Sequence, residues 1–202
     1  MSIRPDVSEA HREGFPMGGE PLVALDLSDT LITVTEPPTD LLSTPESEAR
    51  WWALQSRSLP EGPIPDIRAT RRLRAAIRDC LDAHVEGRPV RPTSLEDINA
   101  TAAAAPLSQR LVMTGDAFRE EERWHTEYGG NALLAAIATE AITLLTDQNR
   151  LGLLRRCANP NCSMLFLGEN KRRKWCVSNI CGNRVRVARH YERTHPGGIG
   201  IA

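Results

Sequence analysis

Aromatic residues make up only 4% of this 202-residue chain, as four Trp, three Phe and two Tyr. So few rings argue against a protein that reads single strands by stacking bases on aromatic side chains. No apolar run reaches the roughly 20 residues of a membrane span. From Met1 to Glu20 the chain mixes charge, glycine and proline. It lacks the apolar stretch of a signal peptide, so residues 1–19 read as a disordered arm and the location as cytoplasmic. The five His show no ligand spacing with one another, and no segment repeats. Cysteine is scarce too, at five residues, but four of them stand together near the C-terminus.

Those four are Cys157, Cys162, Cys176 and Cys181, spaced C-x4-C-x13-C-x4-C. Two short-spaced pairs split by a modest loop deliver four soft ligands to one tetrahedral ion, which points to a structural zinc site. A reducing cytoplasm favours metal over disulfides for the same thiols. Cys80 stands apart, on an apolar helical stripe, and reads as a core residue.

Net charge is −1, but its distribution is uneven. From Arg155 to His195 ten Lys/Arg face only Glu169 and Glu192, a net of +8 that leaves −9 on the rest. A basic module on an acidic body suggests a polyanionic partner for the module alone.

The body reads as helix-rich α+β. Leu22 to Leu27 is an apolar run expected as a short buried strand. Thr44 or Ser47 would cap a helix through Trp51, Trp52 and Leu54 that stops before Pro60. Asp66 would cap a second helix, which carries Ile67, Leu73, Ile77, Cys80, Leu81 and His84 at helical spacing and ends at Gly87. His84 is expected to pack partly buried, and the Trp pair to be core. Ser94 and Asp97 suggest a capping box for a third helix, stopped by Pro106. Leu107 to Met113 and Glu120 to Thr126 look like strands around Thr114-Gly115-Asp116, with Glu120 to Glu122 as a solvated acidic turn. The longest helix is expected from about Gly130 to Asp147.

In the cysteine module, Asn and Pro between Cys157 and Cys162 allow a sharp turn. Met164 to Leu167 and Arg173 to Trp175 are expected as the two strands of a hairpin. Ser178 would cap a helix that holds Cys181 in its first turn, where N–H groups favour a thiolate. This knuckle, hairpin and helix order is treble-clef-like. Along the helix, Ile180, Val187, Ala188 and Tyr191 would face inward, with Arg186, Arg189 and Arg193 on one outward face. Lys171, Arg172, Arg173 and Lys174 would add phosphate contacts. Asn183 has the chemistry to bond a cysteine sulfur or a loop carbonyl, and Arg184 to brace the knuckle or reach nucleic acid.

Cys181-Gly182-Asn183-Arg184, with Lys174-Trp175-Cys176 and the upstream Cys157/Cys162 pair, resembles the CGNR zinc-finger family over roughly residues 150–194. That family has an N-terminal partner, the ABATE domain. Leu25-Asp26, Thr30-Leu31, Asp40-Leu-Leu and Trp52 are loosely similar to it. The resemblance implies a bacterial, actinobacterial-type, stress-induced transcription regulator. Gly168 departs from it, since an Asp often follows the hairpin Phe in that family.

Two other classes remain open. One is a zinc-ribbon module that binds RNA or protein. The other is a haloacid-dehalogenase-like phosphatase, because Val23 to Leu31 resembles that fold's first motif, with Asp26 as nucleophile and Thr30 as phosphate contact. Position 28, however, is Ser where the general acid/base Asp belongs. The reading carried forward is a non-enzyme. It has an ABATE-like domain over 20–149, a CGNR-type zinc finger over 150–195 and a flexible tail over 196–202. Zinc is the cofactor and double-stranded DNA the partner. Arg184 joins the other basic residues as a nucleic-acid contact, and a small-molecule ligand and a homodimer are further partners.

Overall fold

A computed structural model describes residues 7–170 and 172–194, with backbone only for Asn179, Arg189 and Glu192. The architecture is α+β. Helices α1 (Val7–Arg12), α2 (Val23–Ser28), α3 (Pro45–Gln55), α4 (Ile67–Glu86), α5 (Pro92–Ala104) and α6 (Ala132–Thr146) make the body. Two antiparallel pairs interrupt them: β1 (Leu31–Ile32) with β2 (Thr39–Asp40), and β3 (Leu107–Thr114) with β4 (Ala117–Trp124). The short α7 (Gln148–Leu151) leads into β5 (Leu154–Arg156), which pairs with β6 (Leu165–Leu167). A π-helical turn (Ser178–Gly182) and α8 (Asn183–Thr194) close the described chain.

The caps explain where the helices begin and end. Thr44 and Ser47 form a reciprocal capping box at α3. The Asp66 carboxylate accepts from Arg68 N and Ala69 N at the start of α4. Gly87, at φ 67°, ends α4 in the left-handed conformation that suits glycine. At twenty residues α4 is the longest helix described, rather than α6 with fifteen. Helix α5 starts at Pro92, not in a box at Ser94 and Asp97. Ser94 instead donates its hydroxyl to Asp79 at 2.8 Å, tying α5 to α4.

The expected strand over residues 22–27 is the helix α2, whose six residues are all buried. A short run buried on every side reads alike as core strand or core helix. The buried first-turn amide of Ala24 is satisfied from α6, where Glu140 accepts from it at 2.7 Å. Residues 7–19, expected as part of an unstructured arm, carry α1 and bury Ala10, Phe15 and Met17 in the core. Trp51 and Trp52 are core residues in edge-to-face contact, 4.8 Å between centroids. His84 is exposed rather than packed, and Glu120 to Glu122 lie in strand β4, not in a turn.

One apolar core unites α2, α3, α4 and α6 and extends past the body. Leu154 of β5 and Leu165 and Leu167 of β6 belong to it. Successive side chains of a strand point to opposite faces. Phe166, between those two leucines, therefore points away and joins a second cluster with Met164, Cys157, Cys176 and Cys181. All three residues of β6 are buried, so the strand is a wall shared by two cores.

Candidate metal centre and basic helix

The two sulfur pairs are brought together by short backbone devices. Cys157 N donates to Met164 O at 2.9 Å and Cys162 N to Asn159 O at 3.0 Å, closing the first knuckle. The Asn159 side chain accepts from Asn161 N at 3.1 Å, the turn that Asn-Pro-Asn suggests. Cys181 N donates to Val177 O at 2.9 Å in the second knuckle, and Ala158 N to Lys174 O at 2.9 Å links the two.

The four Sγ atoms lie within 4.8 Å of one another. Sγ of Cys176 is 3.8 Å from that of Cys162 and 3.5 Å from that of Cys181. Four thiolates around tetrahedral zinc, at about 2.3 Å each, stand about 3.8 Å apart. The donor set and its spacing therefore fit zinc. Three of the thiols are buried and Cys162 is half-buried. Hydrogen bonds from Cys162 and Cys176 pull Cys157 down, while the same contacts push Cys162 and Cys176 up. So close a set divides into one thiolate and its donors unless a cation stabilises all four charges. Cys80 lies outside this cluster. It is buried on α4, and burial pushes its thiol up to about 11.

Trp175 packs on the thiol cluster. A side chain at Gly182 would place its Cβ 3.0 Å from the Trp175 ring, so the glycine permits the close approach of ring and turn. The expected hairpin of Met164 to Leu167 with Arg173 to Trp175 is not formed. β6 pairs with β5 instead, in the register Leu154↔Leu167, Arg155↔Phe166, Arg156↔Leu165. Both strands have leucines to bury against the body, whereas Arg173 to Trp175 do not. Nor does Ser178 cap: the turn begins after Val177 without a side-chain cap.

Polar contacts fasten this module to the body. Asp29 sits fully buried, 3.1 Å from Arg78 Nη1, and accepts from Leu165 N at 3.2 Å. Arg78 also donates to Ser163 O at 2.7 Å. Burial outweighs Arg78 and the Leu165 N–H and pushes the Asp29 carboxyl up to about 8. Both of those partners are donors, which favours the carboxylate over what burial alone would leave. Arg156 reaches Asp82 and Glu86 of α4 at 3.0 and 2.7 Å.

The basic residues divide. Arg173 is not a free phosphate contact. It donates to Glu20 at 2.6 Å and to Trp175 O at 3.1 Å, and its guanidinium lies 4.5 Å from the Phe166 ring centre. Arg172 and Lys174 are exposed. Lys171 and the side chain of Arg189 lie outside the described residues. Arg184, Arg186 and Arg193 are exposed on α8. The Asn183 side chain accepts from the Arg186 guanidinium.

The expected inward face of α8 is not inward. Val187 is 67% and Tyr191 61% exposed, Ala188 is exposed and Ile180 is half-buried. Among its described side chains only Val185 is even half-buried. The other described side chains of α8, Val187 and Tyr191 included, are exposed. Beside it, a groove of about 420 Å³ runs past Cys162, Cys176 and Cys181, with Phe15, Leu41 and Met164 on its walls and Arg184 on its lining.

The phosphatase motif finds no matching geometry. Asp26 lies within a helix, buried, and its carboxylate accepts from Gln55 Nε2 at 3.1 Å. Among the described residues the sheets are three separate antiparallel pairs, so no parallel sheet offers a strand end for a nucleophile.

Comparison with known families agrees with this geometry. Residues 22–148 match the ABATE family, described as a "putative stress-induced transcription regulator". Residues 153–194 match the CGNR zinc finger. Neither description is of an enzyme. A comparison with curated proteins finds no match. With most of its length under the first match and its four thiols under the second, the chain belongs to the ABATE family and carries a CGNR zinc finger after that region.

Proposed function

We propose that this regulator acts by binding duplex DNA through its zinc finger. The observation that carries the reading is α8, with Arg184, Arg186 and Arg193 exposed along it. Cys157, Cys162, Cys176 and Cys181 hold the zinc. When bound, the metal neutralises the thiolates and locks the two knuckles together. The π-helical turn then sets the direction in which α8 leaves the module. Arg186, Arg189 and Arg193 approach the major groove, where a bidentate contact to guanine is worth about 1–3 kcal/mol of discrimination. Lys171, Arg172, Lys174 and Arg184 neutralise phosphates. Arg173 instead braces the module against Glu20.

In this reading the protein works in a bacterial cytoplasm and responds to stress. The body senses a small ligand or brings two fingers together. The groove beside the thiols suits a small, largely apolar ligand. A protein or RNA partner is the second reading, favoured by the exposed Val187 and Tyr191 on α8.

The test uses the whole chain, loaded with zinc, against a randomised duplex library with an RNA competitor present. If about four to six phosphates are neutralised, log affinity falls against log salt with a slope of roughly −4 to −5. Arg186→Ala should relax preference at one base position, while Arg172→Ala should weaken all sequences alike. Binding that RNA displaces as well as DNA does, or that neither substitution weakens, would overturn the reading.

A further inference from the structure

Strands β3 and β4 form a two-stranded hairpin that projects from the body. Their register runs from Leu107↔Trp124 to Thr114↔Ala117. Alternation sets Leu107, Gln109, Leu111 and Met113 on one face with Phe118, Glu120, Glu122 and Trp124. That face is open: Leu111 is 75%, Phe118 71% and Met113 59% exposed. An isolated two-stranded ribbon is marginal in water, and three or more strands are the usual requirement.

The two free edges differ. β4 reads Ala-Phe-Arg-Glu-Glu-Glu-Arg-Trp. Antiparallel pairing with its own copy keeps faces matched only if one residue opposes itself. On β4 every such register centred from Arg119 to Arg123 sets a charge against the same charge. That edge is protected. β3 reads Leu-Ser-Gln-Arg-Leu-Val-Met-Thr, with a single charge and no Pro or Gly. Centred on Leu111, it opposes Leu111 to Leu111, Gln109 to Met113, Arg110 to Val112 and Ser108 to Thr114. No like charges meet.

The backbone agrees with that centre. His125 N donates to Pro106 O at 2.9 Å, which marks Pro106 and His125 as a hydrogen-bonded pair. Alternation along the ladder then gives the bonds to β4 to Ser108, Arg110, Val112 and Thr114. It turns the N–H and C=O groups of Leu107, Gln109, Leu111 and Met113 towards the free edge. Among the described residues no third strand takes them up.

We propose that β3 pairs edge to edge with β3 of a second copy, antiparallel, about a two-fold axis at Leu111. The product is a four-stranded sheet in the order β4-β3-β3-β4. Leu111 meets its own copy at the axis, and the Leu107, Met113 and Phe118 side chains of both copies join in one apolar strip. The charged β4 strands become the outer edges, which stops the sheet from growing further.

The test is the oligomeric state of the full-length, zinc-loaded chain by sedimentation at concentrations on the order of 10 µM. The wild type should be dimeric. Leu111→Lys sets two ammonium groups together at the axis and should raise the dissociation constant by about 100-fold or more. Far-UV dichroism and zinc content should stay unchanged, since Leu111 is exposed in the single chain. Gln109→Lys/Met113→Lys opposes like charges and should also give monomers. Gln109→Glu/Met113→Lys opposes unlike charges and should stay dimeric. A monomeric wild type overturns the proposal. So does a dimer that survives both Leu111→Lys and Gln109→Lys/Met113→Lys. Because no DNA is present, the outcome is independent of the DNA-binding reading.

Discussion

The body and the finger solve the same problem by different means. The body has long helices with capped ends and a large apolar core that includes Leu73, Ile77, Leu81, Ile137 and Leu144. The finger has Met164, Phe166, Trp175 and Val177 around four thiols. Such a cluster is far too small to offset the entropy of ordering some forty residues. The finger needs its metal on one side and the body's core on the other. Strand β6 is where the two supports meet, and each way of breaking the comparison acts on one support at a time.

Metal removal should have the largest effect. We expect one zinc per chain by elemental analysis. Structural zinc in small fingers is worth roughly 10–16 kcal/mol at neutral pH. A strong chelator should unfold the knuckles, read by Trp175 fluorescence, and lower the melting temperature of the body while its helicity persists. Cys162→Ser should behave likewise, and Cys80→Ser should keep full zinc. A body whose melting temperature ignores chelation would show that the two cores are separate.

Next comes the buried fastening. Asp29→Ala leaves Arg78 with Asp82 as its remaining carboxylate, at 2.9 Å, and Leu165 N–H without its acceptor. Breaking a buried pair from one side costs about 3–5 kcal/mol, and with Asp82 still in place the loss should fall at the lower end. Urea denaturation of the holoprotein should show that loss, together with faster zinc release to a chelator.

Neighbouring residues of β6 then separate the supports. Leu165→Ala opens the body's core and should cost about 2–4 kcal/mol with zinc retained. Phe166→Ala opens the thiol cluster, and its cost should appear mainly as weakened zinc retention. Equal zinc affinity in the two variants would mean that the strand does not divide its faces between the cores.

The smallest effect belongs to the body alone. Burial opposes the charge on Asp79, but donors from Arg91 N, Ser94, Arg88 and the Arg91 side chain outweigh it and hold the carboxyl at about 2. Its folded value lies below the ordinary 3.8 of an aspartate, so its contribution is present above about pH 4. That contribution, about 2 kcal/mol, is lost as pH falls from about 4 towards 2. Asp79→Asn should flatten that part of the stability profile and leave zinc content unchanged.

The zinc ligands were legible because four thiols at that spacing have few other uses. Helix α4 was legible because Asp66 and Gly87 mark its ends by local chemistry. Strand β6 was half legible. Its apolar run announced burial, but a run buried on both faces does not say which partner lies on which side, so the pairing with β5 was missed. Leu22 to Leu27 failed for the same reason. The basic run 171–174 showed charge without showing that Glu20, far away in sequence, would recruit Arg173. On α8 the spacing of Val187 and Tyr191 suggested a buried stripe, yet periodicity alone does not supply a surface to pack on. The hairpin β3–β4 was legible as two strands about Gly115, but β4 starts at Ala117 rather than Glu120 and takes in the acidic run expected as a turn; its exposure follows from the absence of a covering layer among the described residues.

Strand β6 also bears on how such a chain can be recombined. The two family matches suggest a seam between residues 148 and 153, an inviting place to exchange one body for another. A cut there would carry Leu154, Leu165 and Leu167 away with the finger and leave their sockets behind. A transplanted finger would arrive with three leucines bared and a backbone amide at Leu165 seeking a carboxylate. Its new host would have to supply an apolar recess and the counterparts of Asp29 and Arg78. The finger is thus a poor interchangeable cassette, and a working chimera should draw its boundary through contacts in space rather than through the sequence.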